Sequence, residues 1–254
     1  MHITDRLKLS IARIGLLFAI LAIWQLLWIR GLPDYVLGPI EILEHFVAAL
    51  GTRELYQDIG ASLMRALPGF AIGSALGILL GLAAGTARWF DEMLSPAVFM
   101  TYPVPKIVML PLFMLWFGIG DLSKVLIIAL ACFYPTFINA YYGAKSTPKI
   151  LVWSGLNMGA GKWRIFSRVV VPSALPLVFA GLRVSLALSF IVMFATEMIN
   201  ARSGLGFLIQ EAENSLRFDL MYVSLLSIAI LGYAGDRLLR LARRRMLAWQ
   251  EPSA

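Results

Sequence analysis

Long apolar runs alternate with short charged connections along this chain, and that alternation predicts its elements. The runs cover Ile14–Ile29, Ala66–Ala87, Leu94–Phe117, Val125–Ala144, Leu175–Ile199 and Leu220–Ala234. Roughly 20 helical residues cross a hydrocarbon core about 30 Å thick, so the runs predict about six transmembrane helices. A lipid-facing barrel would show short alternating segments instead. These runs do not alternate, and the fold class is an all-α membrane protein.

Two runs carry further detail. In the second, Gly69, Gly73, Gly77, Gly81 and Gly85 recur every four residues, which leaves a smooth groove for close helix packing. The third holds Pro96, Pro103, Pro105 and Pro111, with Lys106 among them. Proline removes a backbone donor and clashes with the preceding turn, so this span is expected to kink or break. Broken backbone at membrane depth survives only where it is buried in protein or lines a wet cavity. Between the first two runs, residues 31–60 read as a polar stretch. There Ile42, Phe46 and Leu50 share one face of an interfacial amphipathic helix.

Composition agrees with a membrane protein. The chain is 59% hydrophobic and only 15% charged, with mean hydropathy +0.78, too few charges to cover a soluble domain of this length. The net charge of +7 does not point to nucleic acid, because the basic residues sit at the ends and between the runs. The segment 145–168 holds Lys145, Lys149, Lys162, Arg164 and Arg168 without an acid, and the tail holds Arg237, Arg240, Arg243, Arg244 and Arg245. Positive charge stays inside, so this loop, the tail and the N-terminus with Arg6, Lys8 and Arg13 are expected in the cytoplasm. The loop from Glu197 to Asp219 leans acidic and is expected outside. Cys132 is alone, so no disulfide can form within the chain. Ile14–Ile29 is followed by bulky and charged residues, which fits a retained first span and not a cleaved signal.

Polar residues inside the runs are the first functional candidates, since charge at membrane depth is costly. Arg183 and Glu197 lie about 21 Å apart along one helix and cannot pair with each other. Both are expected near helix ends, where long side chains snorkel. Ser185, Ser189 and Thr196 share a face, with Met193 close to it. That stripe either borders a substrate route together with Glu197 or makes hydrogen bonds between helices. Tyr134, Thr136 and Asn139 in the fourth run are weaker candidates of the same kind. Lys106 has two open readings, an anchor at the inner face or a group that attracts anions.

The stretch Lys149–Pro176, KILVWSGLNMGAGKWRIFSRVVVPSALP, is long and basic and has an apolar periodicity of its own. Trp153, Leu156 and Gly159 share one side of a short helix. Such an element either lies on acidic lipid or fits a groove on a soluble partner. LNMGAGKW within it is no phosphate loop: Leu156 stands at the first glycine position and Trp163 at the hydroxyl position.

This stretch resembles the EAA loop of binding-protein-dependent ABC importer permeases. That signature is E-A-A, three residues, glycine, nine residues, then a branched residue shortly before Leu-Pro. Gly159, Val169, Val171 and Pro172 stand at that spacing. Three more stretches are similar to the nitrate, sulfonate and taurine branch of the family: LPLFMLWFGIGDLSK at 110–124, VPSALPLVFAGLRVSLAL at 171–188 and EMINARSGLGFLI at 197–209. One departure is plain, since Trp153, Ser154 and Gly155 occupy the E-A-A positions and the acid is missing. Either Trp153 supplies buried contact area instead, or the subunit pairs with an unusual ATPase.

The resemblance implies a type I ABC importer permease fold with a cytoplasmic coupling helix. It implies ATPase docking by Trp153, Ser154, Gly155, Gly159, Ala160, Val169 and Pro172, and a substrate pathway along the fifth span. It implies a homodimer in the inner membrane, two ABC ATPase subunits carrying ATP and magnesium, and a periplasmic or lipid-anchored solute-binding protein. No cofactor, metal or nucleic acid is expected on this chain. The implied divisions are 1–60 for the N-terminal tail, first span and external loop, 61–245 for the permease core, and 246–254 for the tail. The implied solute is a small anion such as a sulfonate, taurine or nitrate, with an aromatic acid or vitamin precursor as the alternative. Two competing classes explain less. A secondary transporter would show internal repeats, and none relates 1–127 to 128–254. A membrane enzyme needs a constellation of catalytic groups, and His2 and His45 both lie outside the runs.

Overall fold

The computed structural model describes residues 3–33 and 35–248, with side chains for residue 12 and from residue 15 onward apart from residue 34. The side chains of His2, Arg6, Lys8 and Arg13 and the tail beyond residue 248 lie outside that description. Helices α1 (Ile3–Ile29) and α2 (Pro39–Ala49) lead into α3 (Arg53–Thr86) and α4 (Arg88–Thr101). A 3-10 turn at Lys106–Met109 opens α5 (Leu110–Phe117), and α6 (Asp121–Lys145) follows. Then come α7 (Lys149–Asn157), α8 (Lys162–Ile165), a π-helical turn at Phe166–Val170, and α9 (Val171–Asn200). The chain closes with α10 (Leu205–Asn214) and α11 (Phe218–Met246).

By length and composition, α3, α6, α11 and the continuous helical rod Lys162–Asn200 can each cross a membrane. The pair formed by α4 and residues 106–117 is bent by 93° and counts as a fifth, broken span. The prolines account for the break, because neither Pro103 nor Pro105 can donate to an α-helical turn. In α1 the apolar stretch is Gly15–Ile29, shorter than a full crossing.

The polar stretch expected over 31–60 needs correction at its end, because α3 begins at Arg53. Glu54 in its first turn suits the positive end of the helix dipole. Asp58, Ser62 and Arg65 then fall on one face at helical spacing and find partners there, as described below. The glycine row is a packing surface. A Cβ on Gly73 would stand 2.1 Å from the Ala129 carbonyl oxygen, and one on Gly81 2.5 Å from that of Phe137. Lipid is as apolar as the helices, so close van der Waals contact of this kind, not burial from water, joins α3 to α6.

The core lies where α3, α6 and α9 meet. Ala66, Ile127, Ile128, Cys132, Leu186 and Met193 pack together at its centre. A second cluster, with Leu82, Ala140, Ile165, Val170 and Ala174, joins the Lys145 end of α6 to the start of the α8–α9 rod.

Pro172 does not end a helix here, since the helix runs through it from Lys162 to Asn200. A π turn absorbs the disturbance. The Val171 amide donates five residues back to the Phe166 carbonyl, widening the helix just before the proline that lacks an N–H. The chain instead turns at Met158–Gly161, between α7 and α8.

Candidate functional site: a coupling segment and a buried clasp

Helix α7 ends in a glycine-dependent motif. The Ala160 amide donates to the Gly155 carbonyl at 3.0 Å and the Gly159 amide to that of Leu156 at 2.9 Å. Gly159 itself has φ +78°, the left-handed conformation that closes such a cap. Nothing lies within 4 Å of where its Cβ would be, so backbone conformation, not crowding inside the subunit, calls for glycine here. Val152 and Ala160 pack against the cluster at the start of the rod and hold α7 on it.

Much of the surface of α7 is bare. Trp153 is 57% exposed and Met158 85%, with Ile150, Leu151 and Leu156 exposed beside them. Ser154, Gly155, Val169 and Pro172 come together around a crevice of about 380 Å3 on one flank. Trp153 lies outside this group, while Gly159 and Ala160 form the turn. A larger crevice, about 760 Å3, separates α7 and α8 from the ends of α3 and α6. The segment is therefore held mainly by α8 and the π turn, which run on into α9.

At the opposite end of the bundle lies a cluster that sequence reasoning missed. Glu197 stands near the end of α9, as expected, but is fully buried there and does not snorkel. Its Oε1 receives the Arg65 Nη1 at 2.7 Å, and its Oε2 receives the Ser62 hydroxyl at 2.8 Å and the Gly206 amide at 3.0 Å. Arg65, only 5% exposed, also reaches the Asp121 carboxylate at 2.6 Å and the Ser203 carbonyl at 2.7 Å. Gly204, with φ +114°, turns the chain so closely over Glu197 that a Cβ there would lie 2.6 Å from its carboxyl carbon. The clasp fastens α3, α6, α9 and the start of α10 together. Two facts hid it: Arg65 reads as a flanking charge of the second run, and its partner is 132 positions away. An intramembrane acid with a basic residue at a neighbouring span's end is the signal that could have found it.

Arg183 does pair, but with Asp236 of α11 at 2.8 Å. Near α7, Lys145 meets Asp91 at 2.8 Å and fixes α6 to α4.

The stripe on α9 does not border an open face of the subunit. Ser185, Ser189, Met193 and Thr196 are each no more than 1% exposed. The Ser185 and Thr136 hydroxyls are 2.6 Å apart across the α6–α9 seam, and Ser185 also donates to the Cys132 carbonyl at 2.8 Å. Ser189 and Thr196 donate to carbonyls of their own helix. On α6, Asn139 donates to the Pro135 carbonyl at 2.8 Å, and Tyr134 reaches a cavity, described below. The face of α9 that stays exposed is Leu177, Ala180, Val184, Ala187 and Ile191, one row at helical spacing.

Comparison with known proteins agrees with this architecture. Residues 62–248 match the family described as binding-protein-dependent transport system inner membrane component. A Brucella abortus (strain 2308) protein named as an ABC transporter permease is 36% identical over 231 residues, covering 90% of this chain and 91% of that one. The taurine transport system permease protein TauC of Escherichia coli (strain K12) is 32% identical over 243 residues, covering 93% and 88%. A crystal structure of a bacterial ABC transporter importing the polysaccharide alginate aligns with TM-score 0.62 at 16% identity, over 94% of this chain and 99% of that one. With its helical fold, broken third span and helix-borne segment at one end, this chain belongs to the family of binding-protein-dependent transport system inner membrane components.

Proposed function

We propose that this chain forms the translocation path of an ATP-driven importer for a small organic anion of the sulfonate class. Two copies pair in the membrane, two separate ATPase subunits bind their cytoplasmic side, and an external binding protein delivers the solute. ATP and magnesium sit on the ATPase subunits, and this chain carries no catalytic group of its own. The sulfonate reading rests on the similarity to the taurine permease.

The observation that carries the mechanism is the exposed apolar surface of α7, a helix packed on the start of the rod that continues into α9. Apolar side chains exposed in a basic segment beyond the membrane fit a groove on a soluble partner. A partner can move the permease only through contacts that differ between two states. Here a push on Trp153 or Met158 passes through the Val152 and Ala160 contacts into the rod that becomes α9. Trp153 takes the role of the missing acid, with contact area in place of charge. The exposed row Ala180, Val184, Ala187 and Ile191, rather than the buried serine stripe, faces the path between the two copies.

Orientation gives a direct test. Single cysteines at Ser146 and Asn214, both exposed, are expected to label from opposite sides, the first from the cytoplasm. The same membranes are expected to yield the ATPase together with the permease on purification. Labelling of both positions from one side, or a permease that never carries an ATPase, contradicts the reading.

A further inference from the structure

The break in the third span exposes a positive charge halfway through the bundle. Between α4 and the 3-10 turn, Thr101 through Pro105 are all exposed on the subunit surface. Non-helical backbone cannot face lipid at that depth, so this surface lines water or meets protein. The depth follows from Tyr134, whose ring lies 3.9 Å from the Lys106 ammonium. On α6, Tyr134 stands about 20 Å from Asp121 and about 17 Å from Lys145 at 1.5 Å per residue. Lys106 is therefore near the middle of the membrane.

Its three N–H groups donate to the carbonyls of Thr101 (2.6 Å), Tyr102 (3.1 Å) and Val104 (2.7 Å), closing the open end of α4. Those bonds satisfy its donors but leave its charge. Among the described residues no carboxylate lies within 4 Å of it, whereas Arg65 has two and Lys145 and Arg183 have one each. A membrane charge without a protein counter-ion calls for one from elsewhere. Beside it is a cavity of about 320 Å3, lined by Tyr102, Pro105, Lys106, Tyr134, Leu188 and Ile191. That volume is at the lower end of the range of roughly 300–1,000 Å3 for small-ligand pockets. The Tyr134 hydroxyl, 3.0 Å from that of Thr101, adds a hydrogen-bonding group at the same place. Ile191, 60% exposed, belongs to the α9 row assigned to the path.

We propose that Lys106 and Tyr134 form a mid-membrane way station at which Lys106 is the counter-charge for a small, singly charged oxyanion in transit. This rests on the anion-importer reading above. The Tyr134 ring steers the ammonium by cation–π contact, and the surrounding prolines keep the helix open at this point.

The test uses the whole importer, with its ATPase subunits and binding protein, and three probes: the anions ethanesulfonate and nitrate, and taurine, a zwitterion that presents the same sulfonate end. Lys106→Gln is expected to lower uptake of the transported probe by roughly tenfold or more. ATP hydrolysis stimulated by loaded binding protein stays near the parent level. Because Lys106→Gln also removes a helix cap, a second pair leaves the lysine in place. Ile191→Glu sets a competing carboxylate in the cavity and is expected to lower uptake at least tenfold below Ile191→Gln, which matches it in size and polarity but carries no charge. If Ile191→Glu and Ile191→Gln transport alike, or Lys106→Gln matches the parent, Lys106 is only a cap and the inference is overturned. A parent importer that carries none of the probes overturns the anion reading, and this inference with it. An importer that carries one, with indifferent variants, overturns the inference alone.

Discussion

Arg65→Ala is expected to destabilise the folded subunit by about 3–5 kcal/mol, the cost of leaving a buried charge without its partner. Glu197 would keep only the Ser62 hydroxyl and the Gly206 amide as hydrogen-bond donors, and the buried Lys124 nearby would be left without direct contact to it. Asp121 would lose the same partner, but it is largely exposed and contributes little to the loss. Thermal unfolding of the purified subunit in detergent measures the effect. The apolar pair Arg65→Met with Glu197→Leu is expected to lose much less than the two single changes added together, because no charge is then stranded. Equal losses for the pair and for the sum would mean that the two residues act independently.

That cluster also marks the limit of what the sequence shows. Span positions were legible because helices facing lipid leave long uncharged runs, and the Gly69–Gly85 row showed its packing face through its spacing. The break at Pro103 and Pro105 was legible for a local reason, the missing N–H groups. The clasp was not, since it depends on which side chains the fold brings together across 132 positions. The serine stripe shows the same limit from another side. Helical spacing put Ser185, Ser189 and Thr196 on one face of α9, but spacing cannot say whether that face meets α6 or an open path. Pro172 shows a third limit: a proline ordinarily ends a helix, and the π turn that carries the helix past it has no plain sequence mark.

Gly159→Val is expected to uncouple ATP hydrolysis from transport with membrane insertion intact. A β-branched residue held at φ +78° costs on the order of 1–2 kcal/mol, enough to unwind the end of α7. The tip that carries Met158 then shifts against its partner. Stimulation of ATP hydrolysis by loaded binding protein is expected to fall several-fold, measured on the assembled complex in lipid. Gly159→Asn is expected to retain most of it, since asparagine visits this conformation at lower cost. If the valine and asparagine variants behave alike, the backbone turn is not what matters. If both transport normally while neutralising Lys162, Arg164 and Arg168 stops uptake, the segment lies on the membrane surface instead.

The most direct test of the account places a photo-reactive side chain at Met158, 85% exposed at the α7 tip. In membranes containing the assembled importer, irradiation is predicted to join this position to the ATPase subunit in high yield. The yield should change between nucleotide-free and ATP-bound complexes, because the contact carries the motion. Adducts formed only with lipid, at a yield indifferent to ATP, would contradict the claim that α7 couples a separate ATPase to the path through this chain.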